Sequence, residues 1–233
     1  MAIEGMPNRC DDQTIRLAEY FGKNRTVKAL HVPGTDTDVY AVTSRDGKST
    51  YVAQIYDGFC RVDPKLDHGR LVREYMADTR SWREMAISEP NPLGQEITYG
   101  SRRWKIEYGV IPKDKYLDIN GTPCLITKRY FEDRNLRELG DDAHRQGHNG
   151  SKDAYHQIED RAREWFTYMN QRTECAYDFA PMNARLVWDK QSMTVRVLLT
   201  DLADSLYSAM TKKHRFDPVK LHKPSPTPER GNH

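Results

Sequence analysis

No apolar run in the 233 residues approaches the roughly 20 needed to cross a bilayer, so no membrane segment is expected. The first dozen residues hold no apolar stretch of the signal-peptide kind, which points to a cytoplasmic chain. Cysteine is scarce. Cys10, Cys60, Cys124 and Cys175 lie far apart with no Cys-x-x-Cys, which argues against a disulfide framework and for reduced thiols. Neither sign of charge dominates. Lys plus Arg number 36 and Asp plus Glu 34, a net of +2, so there is no specific nucleic-acid signal and no pull toward an anionic membrane. Hydrophobic residues make up 37% and aromatics 10%, enough for a lean core. Charged residues at 30% and a mean hydropathy of -0.85 imply an extended polar surface or disordered ends.

What is present reads as a mixture of helices and strands. Residues 12–22 place Ile15, Leu17, Ala18 and Phe21 at helical spacing, with Gly22 as a stop. Strands are predicted over 26–31, 39–43 and 50–56. The last two are joined by Arg45-Asp46-Gly47-Lys48, a strong hairpin signal. Residues 66–85 suit one or two helices. Residues 104–111 and 122–131 read as strands, with Asp118-Ile119-Asn120-Gly121 as their turn. A short helix is expected over 135–139 and a loop over 140–151. His144 and His148 stand at i, i+4, with His156 following. The Arg-Gln-Gly between the first two is a poor helix, so a metal-free loop is expected. The clearest helix spans 151–171, with Ser151 as N-cap and a core stripe of Ala154, Tyr155, Ile158, Ala162, Trp165, Phe166 and Met169. Residues 202–211 suggest a last helix. The basic, proline-rich 212–233 reads as a disordered tail.

The most informative stretch is Tyr177-Asp178-Phe179-Ala180-Pro181-Met182-Asn183. A strand over 184–189, a short turn, and a second strand ending on Asp201 follow it. An acid and an amide before a hairpin, with another acid after it, make a set that holds a divalent metal on a phosphate. The bland alternative is a solvated turn whose Asp and Asn cap backbone groups.

This order resembles the catalytic and metal-binding loops of the protein-kinase-like fold, in which His-Arg-Asp-x-x-x-x-Asn precedes Asp-Phe-Gly. The resemblance puts Asp178 at the catalytic Asp, Asn183 at the metal-binding Asn, and Asp201-Leu202-Ala203 at Asp-Phe-Gly. Ala176 and Tyr177 stand in place of the His and Arg. The implied fold class is α+β and two-lobed, an N-terminal antiparallel sheet lobe plus a reduced helical C-lobe. The implied divisions are a disordered 1–11, an N-lobe over 12–133, a C-lobe over 134–211 and the tail over 212–233. Residues 129–133 become the hinge between the lobes.

In the N-lobe the resemblance thins. Only Gly34 remains of a Gly-rich phosphate loop, and Gln54 falls where a strand Lys should grip the nucleotide. A Gln amide donates hydrogen bonds but carries no charge. Lys28 on the first strand and Lys48 in the hairpin turn are the candidate replacement cations, and each also reads as an ordinary surface lysine. Glu74 is nearest to the Glu that would pair with the strand Lys. ATP and Mg²⁺ are implied as cofactors, and a protein substrate or binding partner as the macromolecular contact. Three functions stand. The first is an atypical small phosphotransferase acting on a hydroxyl acceptor, with Asp178 accepting its proton. The second is a pseudokinase that binds and regulates without catalysis, favoured by the missing Lys and glycines. The third is an unrelated α+β interaction protein.

Overall fold

A computed structural model describes residues 9–22, 24–30, 37–47, 50–56, 66–119, 121–128, 135–146 and 149–202. The class is α+β, as expected. Among these residues the chain divides into two compact units. The first takes in the residues up to Glu74 and those of 113–128; the second takes in 75–112 and 135–202.

The first unit is built on a five-stranded antiparallel sheet. Its strands are β1 (Arg25–Leu30), β2 (Asp38–Ser44), β3 (Thr50–Ile55), β6 (Lys115–Ile119) and β7 (Thr122–Lys128), in the order β1-β2-β3-β7-β6. The first helix, α1 (Arg9–Phe21), lays Leu17 on one face of the sheet, among Tyr40, Val42, Ala53, Ile55 and Ile126. It stops where expected: Gly22 takes φ +81, and its N–H bonds the Ala18 carbonyl at 2.9 Å. Gly47 at φ +71 turns the β2–β3 hairpin. The Asp118–Gly121 turn is present too, with the Gly121 N–H on Asp118 Oδ1 at 2.6 Å. It joins β6 to β7, however, and β6 was not anticipated. Pro112 and the charged run Lys113-Asp114-Lys115 hid its start.

The strand expected over 104–111 belongs to the second unit. There β4 (Glu96–Tyr99), β5 (Arg102–Val110), β8 (Ala184–Asp189) and β9 (Thr194–Leu199) form a sheet in the order β4-β5-β9-β8. Gly100 and Ser101 both take positive φ and close the β4–β5 hairpin. β5 and β9 run parallel, Lys105 beside Thr194 through Val110 beside Leu199. The unit anticipated as helical therefore carries a sheet of its own.

The second unit also holds α2 (His68–Ser88), a single helix, from Tyr75 onward, with α3 (Leu136–Gln146) and α4 (Asn149–Thr173). The loop expected over 140–151 is mostly helix. Asn135 and Glu138 cap α3 reciprocally: Glu138 N–H bonds Asn135 Oδ1 at 2.8 Å, and Asn135 N–H bonds Glu138 Oε2 at 3.0 Å. α4 begins at Asn149, so Ser151 lies within it and is not its cap. Its stripe is core, as expected, with Ala154, Ile158, Ala162, Trp165, Phe166 and Met169 all buried. Trp82 of α2 meets Trp165 and Phe166 edge-on, with centroids 5.6 and 5.1 Å away, and its indole N–H bonds Thr173 Oγ1 at 3.0 Å. Trp165 stacks flat on Tyr108 of β5 at 4.6 Å. The hinge expected at 129–133, all but the first residue of the helix expected over 202–211, and the tail at 212–233 lie outside the described residues.

Two expectations follow. Trp82→Ala should cost about 3–5 kcal/mol, the usual range for emptying a packed aromatic site, read from urea unfolding. A loss under about 1 kcal/mol would show that the aromatic cluster does not hold the unit. The second concerns Glu107 on β5. Partial burial pushes its carboxyl up, but hydrogen bonds from Lys105 at 3.0 Å and Arg196 of β9 at 3.2 Å outweigh that and leave it below the usual range. A depressed folded value adds stability above the unfolded pKa of about 4.3, lost as pH falls through the folded one. Glu107→Gln should therefore flatten the acid limb of the stability curve. Equal acid slopes in variant and parent would count against the bridge.

Candidate functional site

The loop bearing Asp178 is shaped by what flanks it. A run without regular secondary structure over 175–180 follows Glu174, whose φ of 53 ends α4, and the burial of its side chains alternates at 177–179. Tyr177 and Phe179 point inward and are buried, and Asp178 between them is exposed. Tyr177 is clamped at its backbone by one side chain. The Asn170 amide accepts from its N–H at 3.0 Å and donates to its carbonyl at 2.7 Å. Its hydroxyl donates to Asp78 Oδ2 of α2 at 2.6 Å, and its ring meets Tyr75 and Trp82 edge-on. Phe179 packs on Phe166, with the Arg163 guanidinium 5.5 Å from its ring centre. Two aromatic anchors thus fix the backbone on both sides of Asp178.

Pro181–Asn183 forms one 3-10 turn, closed by the Asn183 N–H on the Ala180 carbonyl at 2.9 Å. Proline suits its first position, where no N–H is needed. The turn delivers the chain into β8, and β9 returns antiparallel, with Ala184 opposite Leu199. The register places Asn183 beside Thr200. The Asn183 carbonyl accepts from the Thr200 N–H at 2.8 Å and its hydroxyl at 3.0 Å. Asp201 is the next residue. Asn183 and Asp201 therefore both lie at the open end of the β8–β9 hairpin, and Asp178 lies five residues before it in the same unit.

Asp201 has a partner that the sequence did not suggest. The Tyr75 hydroxyl of α2 donates to Asp201 Oδ1 and accepts from the Leu202 N–H at 3.0 Å. One hydroxyl thus fixes both the carboxylate and the backbone after it. Beside the turn, a cavity of about 310 Å³ is lined by Arg137, Asp141, His144, Tyr155, Pro181 and Met182. Burial first, then Glu159, pushes the Tyr155 hydroxyl up to about 12, so it stays protonated at neutral pH.

In the first unit, Gln54 sits on β3 between the core residues Ala53 and Ile55 and faces away from that core. Its side-chain oxygen accepts from Lys113 Nζ at 2.8 Å. Lys28 on β1 is exposed. β1 lies two strands from β3, about 10 Å across the sheet. Glu74 pairs with Arg70 one helical turn earlier, at 3.6 Å. Gly34, Lys48, Ala203, His148 and Cys60 lie outside the described residues. His144 and His156 are exposed, and among the described residues no three His, Cys, Asp or Glu gather as a metal group. Cys124 is buried, and burial pushes its thiol up to about 12, which removes thiolate chemistry at neutral pH. Lys113, Tyr75 and the Asn170 clamp were not found from the sequence. An apolar–acid–apolar alternation at 177–179 was the available signal for the anchors; Lys113 left none.

No protein-family model matches the chain, and no curated protein matches it. Solved structures to which it is similar include the kinase domain of Mycobacterium tuberculosis PknI, at 13% identity and a TM-score of 0.35. A single mutant of that domain gives 12% and 0.38, and a double mutant 12% and 0.37. Each alignment covers 77% of this chain, and the chain spans only about 60% of the length of these kinase domains.

Proposed function

We propose that the chain is a small, atypical ATP- and Mg²⁺-dependent phosphotransferase of the protein-kinase-like kind, acting on a hydroxyl acceptor. The observation that carries this reading is the open end of the β8–β9 hairpin, where Asn183 pairs by its backbone with Thr200, one residue before Asp201, after a loop that leaves Asp178 exposed. The amide and carboxylate oxygens of Asn183 and Asp201 are hard donors of the kind Mg²⁺ takes. The Tyr75 hydroxyl on Oδ1 orients the Asp201 carboxylate. Bound together, the nucleotide supplies the phosphoryl group and the metal neutralises charge developing on it. Asp178, exposed on an anchored backbone, orients the acceptor hydroxyl and takes its proton. Asn170 and Tyr177 keep that carboxylate in one place while Asn183 and Asp201 serve as the metal ligands.

A second reading is a pseudokinase, a nucleotide-binding or regulatory module without transfer. The neutral Gln54 at the expected lysine position favours it, as does the capture of Asp201 by Tyr75. In either reading a protein substrate or partner is the expected macromolecular contact.

Two variants test this. Asp178→Ala should lower phosphate transfer from MgATP by roughly 10²- to 10⁴-fold, the usual worth of a positioned base, and leave nucleotide binding intact. Equal, nonzero transfer by variant and parent would remove Asp178 from the mechanism; binding without transfer in the parent would select the pseudokinase. Asp201→Ala should abolish the magnesium dependence of thermal stabilisation by ATP. If that dependence persists, Asp201 is not on the metal.

A further inference from the structure

We propose that the cavity between α3, α4 and the Pro181–Asn183 turn is a binding site for a free α-amino acid with an apolar side chain. The cavity holds about 310 Å³, at the small end of the range for ligand pockets, and its lining belongs wholly to the second unit. Its chemistry is divided. Arg137 and Asp141 of α3 put one cation and one anion into the lining, while Tyr155, Pro181 and Met182 supply apolar surface. Opposite charges at i, i+4 on a helix are neighbours and attract. Here they do not close on each other: among the described residues neither Arg137 nor Asp141 forms an ion pair. Two unjoined charges one turn apart suit a ligand that is neutral overall and carries both signs. An α-amino acid does so on a single carbon. Its carboxylate can accept two parallel bonds from the guanidinium, and its ammonium can donate to the Asp141 carboxylate. A phosphate would be repelled by Asp141, and a simple amine by Arg137.

The apolar part is shaped by a glycine. Gly140 lies between the two charges on α3 and is buried, and a Cβ there would stand 2.8–3.0 Å from atoms of the Tyr155 ring. Glycine thus lets the ring of α4 close against α3 and form a wall. The hydroxyl of that ring has a fixed role. Partial burial pushes the Glu159 carboxyl up, but hydrogen bonds from Arg163 and Tyr155 outweigh that and keep it ionised. An ionised carboxylate only accepts, so Tyr155 donates to Glu159 and keeps its oxygen as an acceptor. Asp141 is close enough for its charge to act on the same hydroxyl. The ammonium end of the ligand therefore finds two acceptors, and the carboxylate end finds Arg137. The turn contributes Met182, a large apolar side chain left exposed. A thioether adapts to side chains of different shape, so it selects apolar bulk more than one particular residue.

The test uses the full chain without nucleotide, titrated calorimetrically with L-leucine, L-methionine and L-phenylalanine, so its result is independent of the phosphotransferase reading. At least one of the three should bind saturably. Its N-acetyl and amide derivatives each lack one charge and should bind on the order of 10- to 100-fold more weakly, the loss expected for a hydrogen bond to a charged group. Arg137→Gln should weaken the free amino acid by a similar factor and bind it no better than its amide. Asp141→Asn should likewise bind it no better than its N-acetyl form. Both positions are exposed on α3, and neither side chain takes part in the Asn135–Glu138 cap, so the variants should fold. No saturable binding of any of the three amino acids would overturn the proposal. Equal binding of the free, acetylated and amidated forms would overturn the two-charge assignment. Parent-like binding by either variant would remove the ligand from this cavity and overturn it as well.

Discussion

The clamp of Asn170 on Tyr177 is the contact on which the candidate site depends. One amide satisfies both backbone groups of a residue that has left α4 and not yet entered the 3-10 turn. Buried backbone groups without partners cost about 1–3 kcal/mol each, so this side chain makes it possible for the loop to pass close to the aromatic core. The core then does the rest. Tyr177 is held by Asp78, Tyr75 and Trp82, and Phe179 by Phe166, which leaves Asp178 one direction to point. The burial of its two neighbours turns the acid outward.

Helix α2 gives this arrangement its second support. Within the second unit Tyr75, Asp78 and Trp82 follow one another at helical spacing and meet the hairpin end, the loop and α4 in turn. A stripe of this kind reads in a sequence as ordinary core. Its hydroxyl and carboxylate matter because they land on Asp201 and Tyr177, and that depends on residues about a hundred positions away.

Legibility followed the range of the interactions. The β2–β3 hairpin, the Gly22 stop, the stripe of α4 and the β8–β9 hairpin are set by neighbours in sequence, and all were readable. Local chemistry misled at 140–151. Gly140, Gly147 and Gly150 suggest a loop, yet the Asn135–Glu138 capping box starts α3, and Gly140 lies where the Tyr155 ring leaves little room for a Cβ, 2.8 Å away. The pairing of β5 with β9 was invisible, because alternation reveals a strand and not its partner. The meeting of Lys113 with Gln54 was equally hidden. Pro112-Lys113-Asp114-Lys115 looks like any solvated turn, and only the order β3-β7-β6 brings it to β3. Asp178, Asn183 and Asp201 could be singled out because their chemistry lies in one short stretch and its hairpin.

The parallel partnership of β5 and β9 has a consequence for how the chain assembles during synthesis. Val110 must wait for Leu199, some ninety residues later, before its ladder exists. In that interval the ribosome delivers β6 and β7, which close the other sheet. The two compact units are thus interleaved along the polypeptide, and no single cut separates them into contiguous fragments. Closing so long a loop is entropically slow, and β5 spends that time with one edge unpaired. The hairpin partner β4 covers its other edge from the start, so the nascent strand is shielded on one side while it waits.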